Sequence, residues 1–179
     1  TGFAPILEED SPARPLIHHY VLSIEDPEQP EGTRTCNDWP GQPIWAWTTG
    51  EAPLLFPEGV GIELGGDKPT KLTLQVHYDN PEGVSGVVDT NGIEILVQKE
   101  PPKTLGAMLT AGSIFDISVA SGEQKDFAAP RCTAEDTQKI GPITVFASLV
   151  HAHETGQTLW MDHYRDGKKI GELNRDDEY

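Results

Sequence analysis

Short runs of strand-forming residues, each closed by a turn-forming cluster, recur along this chain. No stretch carries a long amphipathic helical pattern. The candidate strands are residues 16–24, 59–64, 71–78, 92–98, 114–119, 143–153 and 158–164. Breakers at 26–32, 65–69, 79–83 and 166–167 separate them. Elements this short and closely spaced pair as antiparallel ladders, since parallel βαβ units need a helix between strands. The expected fold class is therefore all-β, with antiparallel β-sandwich architecture. Pro101 and Pro102 sit together inside 99–103. A proline pair cannot continue a ladder, because it removes two N–H donors and fixes φ. That places a boundary there, with one domain over 1–100 and a second over 101–179.

Composition narrows the partners. Thirteen basic against 29 acidic residues give a formal charge of −16. Nucleic acids and anionic membranes bind clustered Lys and Arg, so neither suits this chain. No apolar run approaches the roughly 20 residues of a membrane-spanning helix. Residues 1–11 lack the basic and apolar blocks of a signal peptide, and the first residue is Thr1, so an upstream segment is expected. Cys36 and Cys132 lie far apart and form no CxxC pair. They can join each other, pair with other segments or stay free.

Six histidines fall in or beside the candidate strands. Neutral imidazole is the commonest metal ligand and suits copper and zinc. A lone histidine is more often a surface or satisfied core residue, and His163, just before the 165–167 turn, reads that way. His151 and His153 form an HxH pair. In a strand, residues i and i+2 share a face, so both imidazoles can reach one ion. A cupin-type site also uses HxH, but its carboxylate follows a few residues later, and the adjacent Glu154 would point away. In 71–78, Leu72, Leu74, Val76 and Tyr78 read as the core face, and Thr73, Gln75 and His77 as the polar one. His18 and His19 are neighbours and would face opposite sides of an ideal strand. A bulge or a strand end is needed to bring them to one metal.

The order of these motifs resembles the copper type II, ascorbate-dependent monooxygenases, the family of dopamine beta-hydroxylase and the peptidylglycine hydroxylating enzymes. Ile17-His18-His19-Tyr20-Val21 resembles the family's His-His segment. Trp45-Ala46-Trp47, Phe56-Pro57-Glu58-Gly59-Val60-Gly61 and Gly65-Gly66 resemble the stretch that follows. Leu74-Gln75-Val76-His77-Tyr78-Asp79-Asn80-Pro81 is similar to the segment of the third histidine. Phe146 to Gly156, with His151-Ala152-His153, looks like the segment of the second copper. Asn174-Arg175-Asp176-Asp177-Glu178-Tyr179 resembles the run after it.

The resemblance implies two jelly-roll-like sandwiches, the second incomplete here. It implies one copper on His18, His19 and His77 and another on His151 and His153; Gln75, on the same strand face as His77, is the candidate to orient ligands or water between them. The family's methionine ligand, soft and suited to Cu(I), would lie beyond Tyr179, since Met108 and Met161 stand outside its motif. Cys36 and Cys132 resemble family half-cystines. The partner of Cys36 is replaced near Glu25, and that of Cys132 would lie downstream. The implied reaction is hydroxylation of a C–H bond of a small organic substrate with O2, ascorbate being the reductant. The implied location is outside the cell or in the secretory lumen, and a downstream segment or partner subunit would complete the second domain. Leu149 stands where the peptidylglycine enzymes place an arginine, which disfavours a peptide carboxylate as substrate. The rival readings are a non-catalytic copper-binding or accessory subunit, a plain interaction sandwich, and a zinc site.

Overall fold

The computed structural model describes residues 1–28, 30–33, 41–66, 69–112, 118–124, 132–153 and 156–179. It is an all-β protein with one short α-helix and one 3-10 turn (Arg14–Leu16) among these residues. Two compact units are present, Thr1–Ala107 with Ala147–Tyr179, and Met108–Phe146.

In the larger unit, β1 (Gly2–Ile6) lies between β4 (Leu54–Leu55) and β7 (Gly92–Leu96), antiparallel to both. A second three-stranded sheet sets β2 (Ile17–Glu25) between β3 (Gln42–Thr48) and β6 (Lys71–Tyr78), again antiparallel. The two sheets share one core. Phe3 of β1 stacks on Trp45 of β3 at 5.7 Å, and Ile93 and Ile95 of β7 pack on the same cluster. Within the second sheet, Tyr20 sits opposite Trp47 and Val76, and Leu22 opposite Trp45 and Leu74. These cross-strand pairs give the core its apolar area, and full burial of each large side chain is worth about 1.5–3 kcal/mol.

The short β5 (Val60–Gly61) pairs in parallel with β8 (Thr104–Leu105). No strand occupies 97–103, but pairing to the first half resumes just past Pro101 and Pro102. The hairpin of β9 (Leu159–Arg165) and β10 (Lys168–Asp176) turns at Asp166 (φ 49°) and Gly167 (φ 74°), the two positive-φ positions a tight two-residue connection requires. The smaller unit holds α1 (Ala134–Ile140). Thr133 Oγ1 accepts from Asp136 N–H, and the Asp136 carboxylate accepts in return from Thr133 N–H, so two of the orphan donors at the helix start are satisfied.

The structure corrects several expectations. Residues 143–153, read as a strand from their alternating apolar positions, form none in the structure, because no neighbouring backbone pairs with them. Residues 59–64 contribute only the two-residue β5. The run 114–119 falls largely outside the described residues, and 118–119 are not strand. Strands β1, β3, β4, β8 and β10 were not anticipated. Cys132 is a free, exposed thiol, and Cys36 lies outside the described residues. No helix among the described residues is long and apolar enough to cross a membrane.

Candidate metal centre

The site begins with a register shift. Along β2, Ile17 and Tyr20 both point into the core, 4 % and 1 % exposed, although they are three residues apart. Simple alternation would send one of them outward. The extra residue is absorbed by a β-bulge against β6, where Ile17 pairs with Tyr78 and the next partner pair is His19 with His77. The consequence is that His18 and His19 both leave the core. The carbonyls displaced by the bulge are taken up locally. Thr49 Oγ1 donates to Ile17 O (2.8 Å), and Thr48 Oγ1 and Thr49 N–H donate to His18 O, both at 3.2 Å.

His77 arrives through the alternation of β6. Leu72, Leu74 and Val76 pack on the core, which turns Thr73, Gln75 and His77 to the other face. Tyr78 departs from its expected core role: it is 44 % exposed and donates to Asp89. Gln75 sits opposite Val21 on the His77 side of the strand.

Around this pair the structure gathers five imidazoles. Ring centroids lie 5.2 Å apart for His18 and His77, and 4.7 Å for His19 and His77. His151 is 5.0 Å from His18 and 4.7 Å from His19. His153 is 5.1 Å from His18 and 4.8 Å from His77. The two groups assigned by resemblance to separate coppers are thus as close to each other as their own members are. One candidate nitrogen from each of His18, His19, His77 and His153 lies within 4.8 Å of the others. His163 stands apart from the cluster, half-buried in β9 opposite Gly171.

The electrostatics suit metal binding. Desolvation, followed by the charges His151 and His77 would carry, brings the His19 imidazole down to about 3. Desolvation and then the nearness of His18 and His153 bring His151 down to about 4. His77 is lowered by desolvation and by His153 and His18, with Asp79 opposing. Neutral rings present lone pairs, the form a metal needs. Two of the nitrogens, His18 Nε2 and His19 Nδ1, are buried without a hydrogen-bond partner. Buried polar atoms are rarely left so, and a bound cation would satisfy both. At bond lengths of about 2.0–2.1 Å, two imidazole nitrogens on one ion are separated by at most about 4.2 Å. A spread of 4.8 Å therefore closes on an ion with small side-chain movements. The residues present fit copper.

The HxH segment reaches the cluster without a strand. Its anchors come from the chain's last stretch, residues 164–179, which carries no histidine. The β9–β10 register slips at Leu173, and the carbonyl of that residue accepts from Ser148 Oγ (3.0 Å). Asn174 Nδ2 donates to Ser148 O (2.9 Å). Farther along, Tyr179 N–H donates to Gln157 O, and Gly156 N–H to His153 O.

Comparison with known proteins gives this centre its context. The N-terminal domain model of the copper type II ascorbate-dependent monooxygenases matches residues 9–85, and the C-terminal domain model matches 104–179. The chain belongs to that family. It is 35 % identical over 178 residues to a tyramine beta-hydroxylase of Caenorhabditis briggsae, covering 92 % of this chain and 30 % of the relative. It is 31 % identical to the human DBH-like monooxygenase protein 1, covering 92 % and 30 %. With a dopamine beta-hydroxylase of Canis lupus familiaris the identity is 27 %, covering 99 % and 31 %. The chain thus spans about a third of the length of these copper monooxygenase relatives. No solved structure matches it. All five clustered histidines fall inside the two matched copper monooxygenase regions.

Proposed function

We propose that this chain is the histidine-bearing part of a copper-dependent monooxygenase that hydroxylates a C–H bond of a small organic substrate with O2 and ascorbate. The observation that supports it most is the cluster itself: imidazoles of both matched family regions converge, with two buried nitrogens lacking partners. His18, His19, His77 and His153 would hold the copper, and His151, its ring 4.7 Å from that of His19, is a fifth candidate ligand. The sequence divides these residues between two coppers, but as placed they form one donor set, and one copper is our reading. Bound copper supplies one-electron transfer from ascorbate and activation of O2. The chain's own part is to keep the rings neutral, fix their orientation and hold them on the face of β2 and β6 away from the core.

Domains over 1–100 and 101–179 are our division, supported by family matches that end at 85 and begin at 104. A secreted or secretory-lumen location follows the same relationship. So does completion of the second domain by further chain or a partner subunit.

The test is ascorbate-dependent oxygen uptake by the copper-loaded protein with tyramine or dopamine, the molecules for which two relatives are named. Uptake coupled to a hydroxylated product is expected. Copper retention without uptake would favour the second reading, a non-catalytic copper-binding subunit. One observation speaks for that alternative. Four imidazoles on one ion make a closed set, whereas catalytic sites keep an open position.

A further inference from the structure

Tyr179 is hydrogen-bonded at two points on the HxH segment and at a third just beyond it. Its N–H donates to Gln157 O at 3.1 Å. Its hydroxyl donates to Ala152 O at 2.8 Å. The same hydroxyl oxygen lies 2.8 Å from His151 Nδ1. Its ring also closes over Gly156, where an added Cβ would stand 2.8 Å from the Ala152 Cβ and 3.3 Å from Tyr179 Cδ1, so only glycine fits without displacement.

A phenol has one proton to give. The Ala152 carbonyl can only accept, so that proton is committed there. The contact with His151 must then run the other way, with Nδ1–H donating to the phenol oxygen. A neutral imidazole has one N–H, so a proton on Nδ1 leaves Nε2 with its lone pair.

We propose that Tyr179 is a positioning residue that locks His151 as the Nδ1–H tautomer and so dedicates Nε2 to the metal. The His151 ring stands among its neighbours, 4.7 Å from His19 and 5.2 Å from His153, while the Tyr179 ring is 6.2 Å away on its other contact. Partners of this kind fix ring orientation and tautomer, and their loss typically costs about 10–100-fold in metal affinity. Because residues 151–153 have no ladder of their own, the phenol replaces what a neighbouring strand would supply. The metal-affinity part rests on copper binding at the cluster, but the tautomer part does not.

The experiment therefore has two arms on the full chain. In the metal-free protein, imidazole nitrogen NMR should show His151 with its proton on Nδ1, and Tyr179→Phe should shift the population toward Nε2–H. A wild-type His151 protonated on Nε2 would overturn the proposal, whether or not copper binds and whether or not the variant folds. In the second arm, titration with Cu(I) ions should show Tyr179→Phe weakening affinity about tenfold or more. That loss should vanish in a His151→Ala background. A Tyr179→Phe loss of the same size without His151 would assign the tyrosine a merely structural role and overturn the proposal.

Discussion

Ile17 and Tyr20, three residues apart on β2, both face the core, and the residue between registers is what turns two adjacent histidines to the same side. Deleting His18 should therefore remove the bulge and leave Ile17 and Tyr20 two residues apart, both still facing the core in plain alternation, with one histidine fewer on the site face. The expected outcome is a urea midpoint close to that of the parent chain, together with weakened copper binding. A fall in stability of about 1.5–3 kcal/mol, the size of exposing Ile17, would mean that the bulge does not set the register.

That bulge was legible in Ile17-His18-His19-Tyr20 as a requirement, since two neighbours cannot face one metal from a regular strand. β6 was legible too: its alternation runs unbroken from Lys71 to Tyr78, and its observed bounds are those expected. Alternation misled at 143–153, because it reports which faces are apolar and not whether a partner backbone is present. His151 and His153 come together all the same, held by Ser148, Asn174 and Tyr179 rather than by a pleat. Contacts spanning 26 to 28 residues leave no local pattern to read. β10 escaped notice because Lys168, Lys169, Glu172, Arg175 and Asp176 dilute its strand character, and two register shifts break its period.

Tyr20 offers a second test. Its ring packs 5.4 Å from Trp47, yet its hydroxyl is buried without a hydrogen-bond partner, and burial followed by the charge of Asp89 pushes it up to about 12. An unsatisfied buried polar group costs about 1–3 kcal/mol. Tyr20→Phe keeps the ring and removes the orphan, so it should raise thermal stability by part of that amount. A destabilised variant would show that the hydroxyl is paired in solution.

The copper-free chain should lose stability in acid for a reason located in the cluster. His19 and His151 titrate near 3 and 4 when folded and near their ordinary 6.5 when unfolded. Below 6.5 the unfolded chain takes up protons that the folded one refuses, so stability is intact above 6.5 and declines as pH falls toward the folded values. Chemical denaturation between pH 7.5 and 4.5 should show this decline. His19→Ala with His151→Ala should flatten it. An equally steep pH dependence in that double variant would locate the effect elsewhere.

The final prediction concerns how many coppers the cluster takes. Donor nitrogens of His18, His19, His77 and His153 lie within 4.8 Å of one another, which leaves room for one ion at their centre. Two monovalent ions about 5 Å apart would repel by about 3 kcal/mol at an effective dielectric near 20, and two Cu(II) ions by about four times that. Copper titration of the 179-residue chain should therefore saturate near one equivalent. His77→Ala and His153→Ala, although they lie in different family regions, should weaken the same single binding event. The loss in each should be at least the roughly 10–100-fold that an outer partner is worth. Two tightly bound coppers, with His153→Ala removing one and sparing the other, would show that the two histidine groups separate in solution into distinct centres.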